Sequence, residues 1–523
     1  MNEASIPAPA AAGEPPPAPP AAATPGPSGG RASIVKNTAA LVAGQIVTTA
    51  IAIVANAILA RTVGAEDFGI YWLVGSIVSF AYVVIDWGPN CFVGTIAREP
   101  GRTANLFGSK VLMGAALATI GFGVVNVATV ALGYEPRVRG LIALAFALNL
   151  VTAWCTAASL VLRARERMSL DAIGSVALGA CTAVGIVAAV LAGGGLASVF
   201  IAQGVAAAAA LTVYAMLLRK LPIGRVRPTA ATVRELAHGG TPFVVFAVIV
   251  AVHPYVDATL LSKLAPKAVM GWYGAATKFS GTLLFPALVL GSSLYPTLSR
   301  LAVSSKEEFS RTVRMTLRPL LTVATLATVG TILFADVAVN LVYGQRSFGG
   351  AIVILQSLAP WIFLTFVSVG LGSAVVALRR ERAFTVAKVA SVVVSGGLDL
   401  VLIPWFQEHH GNGAVGTALA QGGSELVMVV TALLLMPRGL IDRGVFGSLV
   451  RALASGGGML AAGWGLSWLG ANVVIRLGAS LLVFAALTMA TGLLARRDLL
   501  LLRDMFRARK SGGAASVAVV ATE

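Results

Sequence analysis

Six ionisable residues lie inside apolar runs of this chain: Asp86, Asp257, Lys278, Asp399, Glu425 and Arg476. A charge at the centre of a bilayer costs ~2.5–3.5 kcal/mol on insertion scales, so each needs a partner, a proton or a water-lined cavity. Asp257 precedes Lys263 by six residues and Lys278 follows about eight residues into the next run. At 1.5 Å rise per residue both lie ~9–12 Å below the same surface and could pair across a hairpin. Such a pair is either a structural bridge or a proton- or sodium-sensitive lock facing a cavity. Asp86 belongs to "IDWGPNC", where Gly88 and Pro89 interrupt a helix and free its carbonyls, a simple kink or a binding-site lining. Asp399 in "GGLDLVLIP" and Glu425 after "ALAQGGS" are hydrogen-bonded core carboxylates or ion-coupling groups. Arg476 is close enough to the end of its run to snorkel. Arg61 and Lys263, with Lys278, could ring a cavity mouth with positive charge and attract phosphate. Tyr71, Trp72, Trp272 and Tyr273, at the same level, suit either sugar stacking or an interfacial aromatic belt.

Other chemistry is missing. The chain has no G-x-x-x-x-G-K-[ST] loop for nucleotide, and "EHHGNG" from Glu408 lacks metal-site spacing and reads as a solvated turn. Cys91, Cys155 and Cys181 fall in apolar runs, where thiols act as small hydrophobes, so neither disulfides nor a metal are expected. Every connection is short, which leaves no room for the acceptor domain of a membrane glycosyltransferase or polymerase. No cofactor and no enzymatic activity are expected.

The elements that must hold these residues are membrane helices. Of 523 residues 57% are hydrophobic and 12% charged, with mean hydropathy +0.85, far from any ordinary soluble domain. Runs of ~20 apolar residues, the length that crosses the hydrocarbon, begin near Ala39, Phe68, Phe107, Leu141, Ala172, Leu196, Gly240, Met270, Val313, Ala351, Ala383, Ala414, Gly447 and Asn472, fourteen in all. With the N-terminus inside, the cytoplasmic segments hold 31 of the 39 Lys and Arg, an asymmetry that predicts cytoplasmic termini and an even span count. It also accounts for the net charge of +17 without nucleic acid as a partner. Residues 1–36 read as a Pro/Ala-rich disordered tail with no signal peptide. Residues 496–523 read as a basic tail whose Leu499, Leu502, Met505 and Phe506 form one face of an amphipathic helix on the inner leaflet.

The sequence also repeats. "LARTVGAEDFGIY" from Leu59 aligns to "LSKLAPKAVMGWY" from Leu261, pairing Arg61 with Lys263, Gly69 with Gly271 and Tyr71 with Tyr273 at an offset of 202. Arg165-Glu166-Arg167 pairs with Arg380-Glu381-Arg382 at 215, and "IAQG" from Ile201 with "LAQG" from Leu419 at 218. Three matches in one order predict two six-helix lobes of like orientation, residues 37–219 and 220–437, followed by two appended spans over 438–495. Two such lobes around a cavity suit alternating access.

"ILARTVGAEDFGIYWLVGSIVSF" from Ile58, "DWG" at Asp86, "DATLLSKLAPKAVMGWYGAATKF" from Asp257 and "LIPWFQEHHGNGAVGTALAQGGSEL" from Leu402 resemble segments of the polysaccharide-export family of lipid-linked oligosaccharide flippases. That family lies within the multidrug/oligosaccharidyl-lipid/polysaccharide (MOP) superfamily, and the resemblance covers roughly Lys36 to Arg438. It implies an all-α MOP-type fold and an inner-membrane flippase. The cargo would be an undecaprenyl-diphosphate-linked oligosaccharide, moved from the cytoplasmic to the external leaflet for cell-surface polysaccharide. The drive would be an ion gradient or the membrane potential, and the partners polymerase and export machinery. Arg61 and Lys278, with Lys263, would contact the headgroup, and Asp257 would be the first choice for coupling. Ala265-Pro266 stands where such sequences often have Gly, which leaves the substrate open. Lipid II flippases and drug/cation antiporters share the architecture, and fourteen spans count against the antiporter.

Overall fold

In a computed structural model the chain is described over residues 31–493, apart from 225, 438 and 440–442. The expected amphipathic tail helix and the Pro/Ala-rich residues 1–30 lie outside the described residues. Helix begins at Arg31, so 31–36, expected to belong to the tail, are helical.

Seventeen α-helices and no strand occur among the described residues. In chain order they are α1 (Arg31–Ile85), α2 (Pro89–Arg98), α3 (Thr103–Ala131), α4 (Pro136–Ala164), α5 (Met168–Leu191), α6 (Leu196–Arg219), α7 (Ala230–Leu264), α8 (Lys267–Leu283), α9 (Phe285–Ser304), α10 (Lys306–Val342), α11 (Gln345–Phe348), α12 (Gly350–Ser357), α13 (Ala359–Ala377), α14 (Glu381–His410), α15 (Ala414–Leu434), α16 (Arg443–Trp468) and α17 (Val473–Ala490). Twelve stretches are long and apolar enough to cross a membrane. The count of fourteen is not reached on that criterion, and two places account for the gap. Gly44–Arg98 is one stretch, although Gly64 breaks α1 with φ 79° and ψ 177°. The run expected from Met270 is divided at Leu284 into α8 and α9, neither of which qualifies.

Only glycine adopts the Gly64 conformation without strain, so the expected hairpin between the first two runs is a one-residue break. Its repeat counterpart is Pro266, which caps α8, so the same corner is made by opposite means. The helices leave large side chains on the outside: Leu191, Leu434 and Leu482 are all more than 70% exposed, as lipid-facing residues are. Inside, one core joins residues from both repeats, among them Leu59, Phe68, Phe146, Leu261, Tyr273 and Phe348.

Charge distinguishes the two ends of the bundle. One carries the arginine clusters; the other carries the corner at Gly64, the α3–α4 turn and the α7–α8 corner. At this second end the repeat-paired glycines meet, since a Cβ at Gly69 would strike the carbonyl of Lys267 and one at Gly271 that of Ala65. Lys267 also reaches Glu135 at 2.7 Å and holds its carboxyl below the ordinary carboxylate value, and Arg137 reaches Asp67 at 2.9 Å. The end is closed by backbone contact, which predicts a strong effect of a single methyl. Gly271→Ala is expected to lower stability by ~1–3 kcal/mol, the usual result of overpacking. Gly281→Ala, in open space on the same helix, should leave the unfolding temperature unchanged; equal temperatures for the two variants would contradict the close contact.

Candidate functional site

Two cavities meet at Lys278. The central one, about 790 Å³, is lined by Tyr71 and Trp72 from α1, His253 from α7, Tyr273 and Lys278 from α8, Trp361 from α13, Lys388 from α14, and Gln421 and Glu425 from α15. The second, about 490 Å³, lies toward the arginine-rich end between α1, α4, α5, α6 and α8 and includes Arg163, Tyr214 and Lys278. The Lys278 side chain is exposed to these spaces, and among the described residues no acidic group or hydrogen-bond acceptor reaches its ammonium. An unpaired ammonium at this depth is stable only where water or an anion can reach it.

Behind the cavity wall lies a polar cluster. Asp257 on α7 is fully buried and accepts hydrogen bonds from Gln421 Nε2 at 2.9 Å and Ser395 Oγ at 3.4 Å. His253 Nε2 is 3.8 Å from Oδ2 and pairs with Ser424 at 3.3 Å. Asp399 on α14, also fully buried, interacts with Asp257 and Thr417, yet neither of its oxygens reaches a partner at hydrogen-bonding distance. Thr417 Oγ1 and Gln421 Oε1 are unsatisfied as well. Two adjacent buried carboxylates repel one another when both are ionised, so a compensating charge or a proton lowers the energy of such a pair. Asp257, Asp399, Thr417 and Gln421 offer the hard oxygen ligands that an alkali cation prefers. No group of three or more His, Cys, Asp or Glu among the described residues is placed to hold a metal ion.

The cluster is wired to the cavity. Gln421 Nε2 also donates to Tyr273 OH at 2.7 Å, and the Tyr273 ring meets Trp72 edge-on at 5.2 Å. The repeat explains this arrangement: in the first half Gln203 Nε2 donates to Tyr71 OH at 2.9 Å, and Gln203/Gln421 and Tyr71/Tyr273 are the repeat-paired positions. The carboxylates are not repeated. Ala55 stands 202 residues before Asp257, and the segment equivalent to Asp399, from Cys181 to Val184, has no acid. Among the described residues this carboxylate pair therefore belongs to the second half alone.

The candidate residues thus separate. Lys278, Tyr71, Tyr273 and Glu425 line the central cavity, and Asp257 and Asp399 sit behind it. The Asp257–Lys278 pair that the spacing allowed does not form, because α7 packs its Asp257 face on α14 while α8 packs on α1 and α12. Arg61 is turned away, with Nε donating to Val342 O at 2.8 Å and Nη2 to Leu341 O, where a cation favours the C-terminus of α10. Lys263 lies over the Tyr134 ring at 3.7 Å, and Trp272 donates to Ser347 O at 2.8 Å; neither lines either of the two cavities that meet at Lys278. Asp86 is held by Lys110 at 2.7 Å, and Lys110 also bonds Trp87 O at 3.0 Å, so the pair braces the break at Gly88, whose φ is 59°. Arg476 reaches Leu333 O at 3.4 Å beside the non-helical Phe334 of α10. Sequence reasoning missed His253, although its place one helical turn before Asp257 signalled a shared face. It also missed Lys388, counted among the loop charges.

Residues 34–302 match the polysaccharide biosynthesis protein family. No curated protein matches the sequence. In three dimensions the chain is similar to the lipid II flippase MurJ in an inward closed conformation, at 13% identity and TM-score 0.66 over 88% of this chain and 99% of that one. It is also similar to an inward-facing multidrug resistance MATE family transporter of the MOP superfamily, at 12% identity and TM-score 0.62 over 78% and 95%. A third likeness is the MATE multidrug transporter DinF-BH, at 14% identity and TM-score 0.54 over 80% and 96%. At these identities what is shared is the all-helical fold of the MOP-type transporters.

Proposed function

From the premise that this chain belongs to the polysaccharide biosynthesis protein family, we propose that it is a flippase carrying an undecaprenyl-diphosphate-linked oligosaccharide from the cytoplasmic to the external leaflet of the inner membrane. The observation that carries this reading is Lys278, an unpaired cation at membrane depth on the shared wall of two cavities. A diphosphate supplies the missing anion. Tyr71, Tyr273, Trp72 and Trp361 offer faces and edges for sugar rings, and the polyprenyl tail, itself apolar, stays in lipid. The arginine-rich end is cytoplasmic on the positive-inside rule. The helices up to α6 and those from α7 to α15 are the two lobes that rock, with the close Gly69–Gly271 contact as the external seal.

Coupling in this reading runs through Asp257 and Asp399. A cation or proton at the pair changes what Gln421 can bond, and Gln421 holds Tyr273 in the cavity wall. Loading of the pair and shape of the cavity are thereby linked, as coupling free energy requires. A lipid II cargo is the second reading, favoured by the fold shared with MurJ. Gene deletion followed by analysis of lipid-linked intermediates separates the two. Undecaprenyl-linked repeat units accumulating on the cytoplasmic side support the proposal, lipid II accumulation replaces it with the second reading, and unchanged glycan with altered drug tolerance rejects both.

A further inference from the structure

The cavity between α1, α4, α5, α6 and α8 contains a charged pair that the reading above does not use. Arg163, in the last turn of α4, donates through Nε to Asp171 Oδ2 at 2.7 Å, and Ser159 Oγ donates to Asp171 Oδ1 at 2.5 Å. Asp171 is fully buried, while Arg163 is about half exposed and lines the cavity. An arginine that serves only to set orientation in the membrane needs no such partner. Burying a carboxylate at a helix–helix contact is costly unless it fixes something. What it fixes is a planar guanidinium: with Nε occupied, the two terminal amino groups have no partner among the described residues. That is the face with which arginine grips phosphate.

The rest of the lining fits a phosphorylated sugar. Among the described residues the only other cation is Lys278, on α8, and no carboxylate lines this cavity, in contrast to the central one with its Glu425. Hydroxyl and amide groups come from Gln45, Thr49, Thr156 and Ser175. Asn56 also lines the space, with its amide nitrogen on Ala52 O at 2.7 Å. At about 490 Å³ the space is within the usual range for a small ligand.

We propose that Arg163, positioned by Asp171, is a second phosphate-binding residue, and that this cavity holds the sugar-1-diphosphate portion of the cargo on the cytoplasmic side, between Arg163 of the first lobe and Lys278 of the second. The inference rests on the flippase reading and adds a residue and a subsite to it. It explains why Lys278 faces two spaces: the diphosphate is held at the smaller cavity and then passes Lys278 into the central one. A ligand gripped by helices of both lobes also draws them together, so loading favours closure on the cytoplasmic side.

The test is equilibrium binding to purified full-length protein in lipid nanodiscs, with farnesyl-diphosphate-linked glucose, farnesyl diphosphate and farnesyl monophosphate as probes. Wild type should prefer the diphosphates. Arg163→Gln should weaken diphosphate binding by about tenfold or more, as loss of charge-assisted hydrogen bonds does. Arg163→Lys, which keeps the charge but not the fork, should recover only part. Asp171→Asn should narrow the preference for diphosphate over monophosphate, a change that mere loosening of α4 on α5 would not produce. Asn56→Leu should weaken the sugar-bearing probe alone. Should Arg163→Gln fail to fold, Arg163→Lys and Asp171→Asn carry the same comparison. Normal diphosphate binding in the Arg163 variants, with binding lost in Lys278→Gln, overturns this inference and leaves the flippase reading standing. Failure of the wild type to bind any diphosphate overturns both.

Discussion

Lys278→Glu is expected to abolish translocation of lipid-linked oligosaccharide in reconstituted vesicles while leaving the protein folded. Two unit charges 4 Å apart attract by about 4 kcal/mol at an effective dielectric of 20, and cavity water lowers this toward ~2 kcal/mol. Lys278→Gln removes that attraction and should weaken diphosphate binding by roughly 10–100-fold. Lys278→Glu turns it into repulsion and should leave no measurable binding. Lys278→Arg should keep most of the activity. Stability should hardly move, because Lys278 has no ion pair to lose and is already exposed to the cavity. A glutamate variant that still translocates cargo would remove the observation on which the functional proposal stands.

Asp399→Asn is expected to uncouple the protein from its driving ion without unfolding it. In the coupling proposed above the Asp257–Asp399 pair holds a proton or a cation, which would stabilise the folded state by mass action, about 2.7 kcal/mol at a hundredfold excess over its dissociation constant. Unfolding temperature should therefore rise with sodium if the ion is Na⁺, and with falling pH if it is a proton. The sign follows from mass action: an ion held by the folded pair and not by the unfolded chain favours the folded state. The groups facing the pair are His253 on α7, Tyr273 on α8, Ser395 on α14, and Thr417 and Gln421 on α15. Asn in place of Asp399 removes one negative charge, so both the ion dependence and the response of transport to an imposed gradient should vanish. Asp257→Asn should do the same and also disturb Gln421. An unfolding temperature that still tracks the ion in Asp399→Asn would place the coupling site elsewhere.

The two glutamine–tyrosine pairs show how much a sequence repeat can encode. Matching "IAQG" to "LAQG" and Tyr71 to Tyr273 already placed four residues at equivalent positions, and in the structure each glutamine bonds the tyrosine of its own half. Alignment alone did not say that these residues touch, because the partners are 132 and 148 residues apart. Arg61 and Lys263 illustrate the opposite case. Their charge and level in the membrane were legible and their direction was not: one caps a helix and the other lies on an aromatic ring.

What the sequence determined by itself is whatever depends on local composition and period: an all-helical membrane protein, the approximate place of its apolar runs, the charge asymmetry between its two ends, the internal repeat and the short list of ionisable residues that hydrocarbon would not tolerate unpaired. What only the tertiary structure decided is partnership. Asp257 met Asp399 and Gln421 instead of Lys278, Asp86 met Lys110, Arg163 met Asp171, and the repeat-paired glycines met each other. The physical reason is that hydropathy fixes how deep a residue sits, one coordinate along the helix axis. Which neighbour it faces depends on rotation about that axis and on which helices pack together, and both are set by the whole bundle at once.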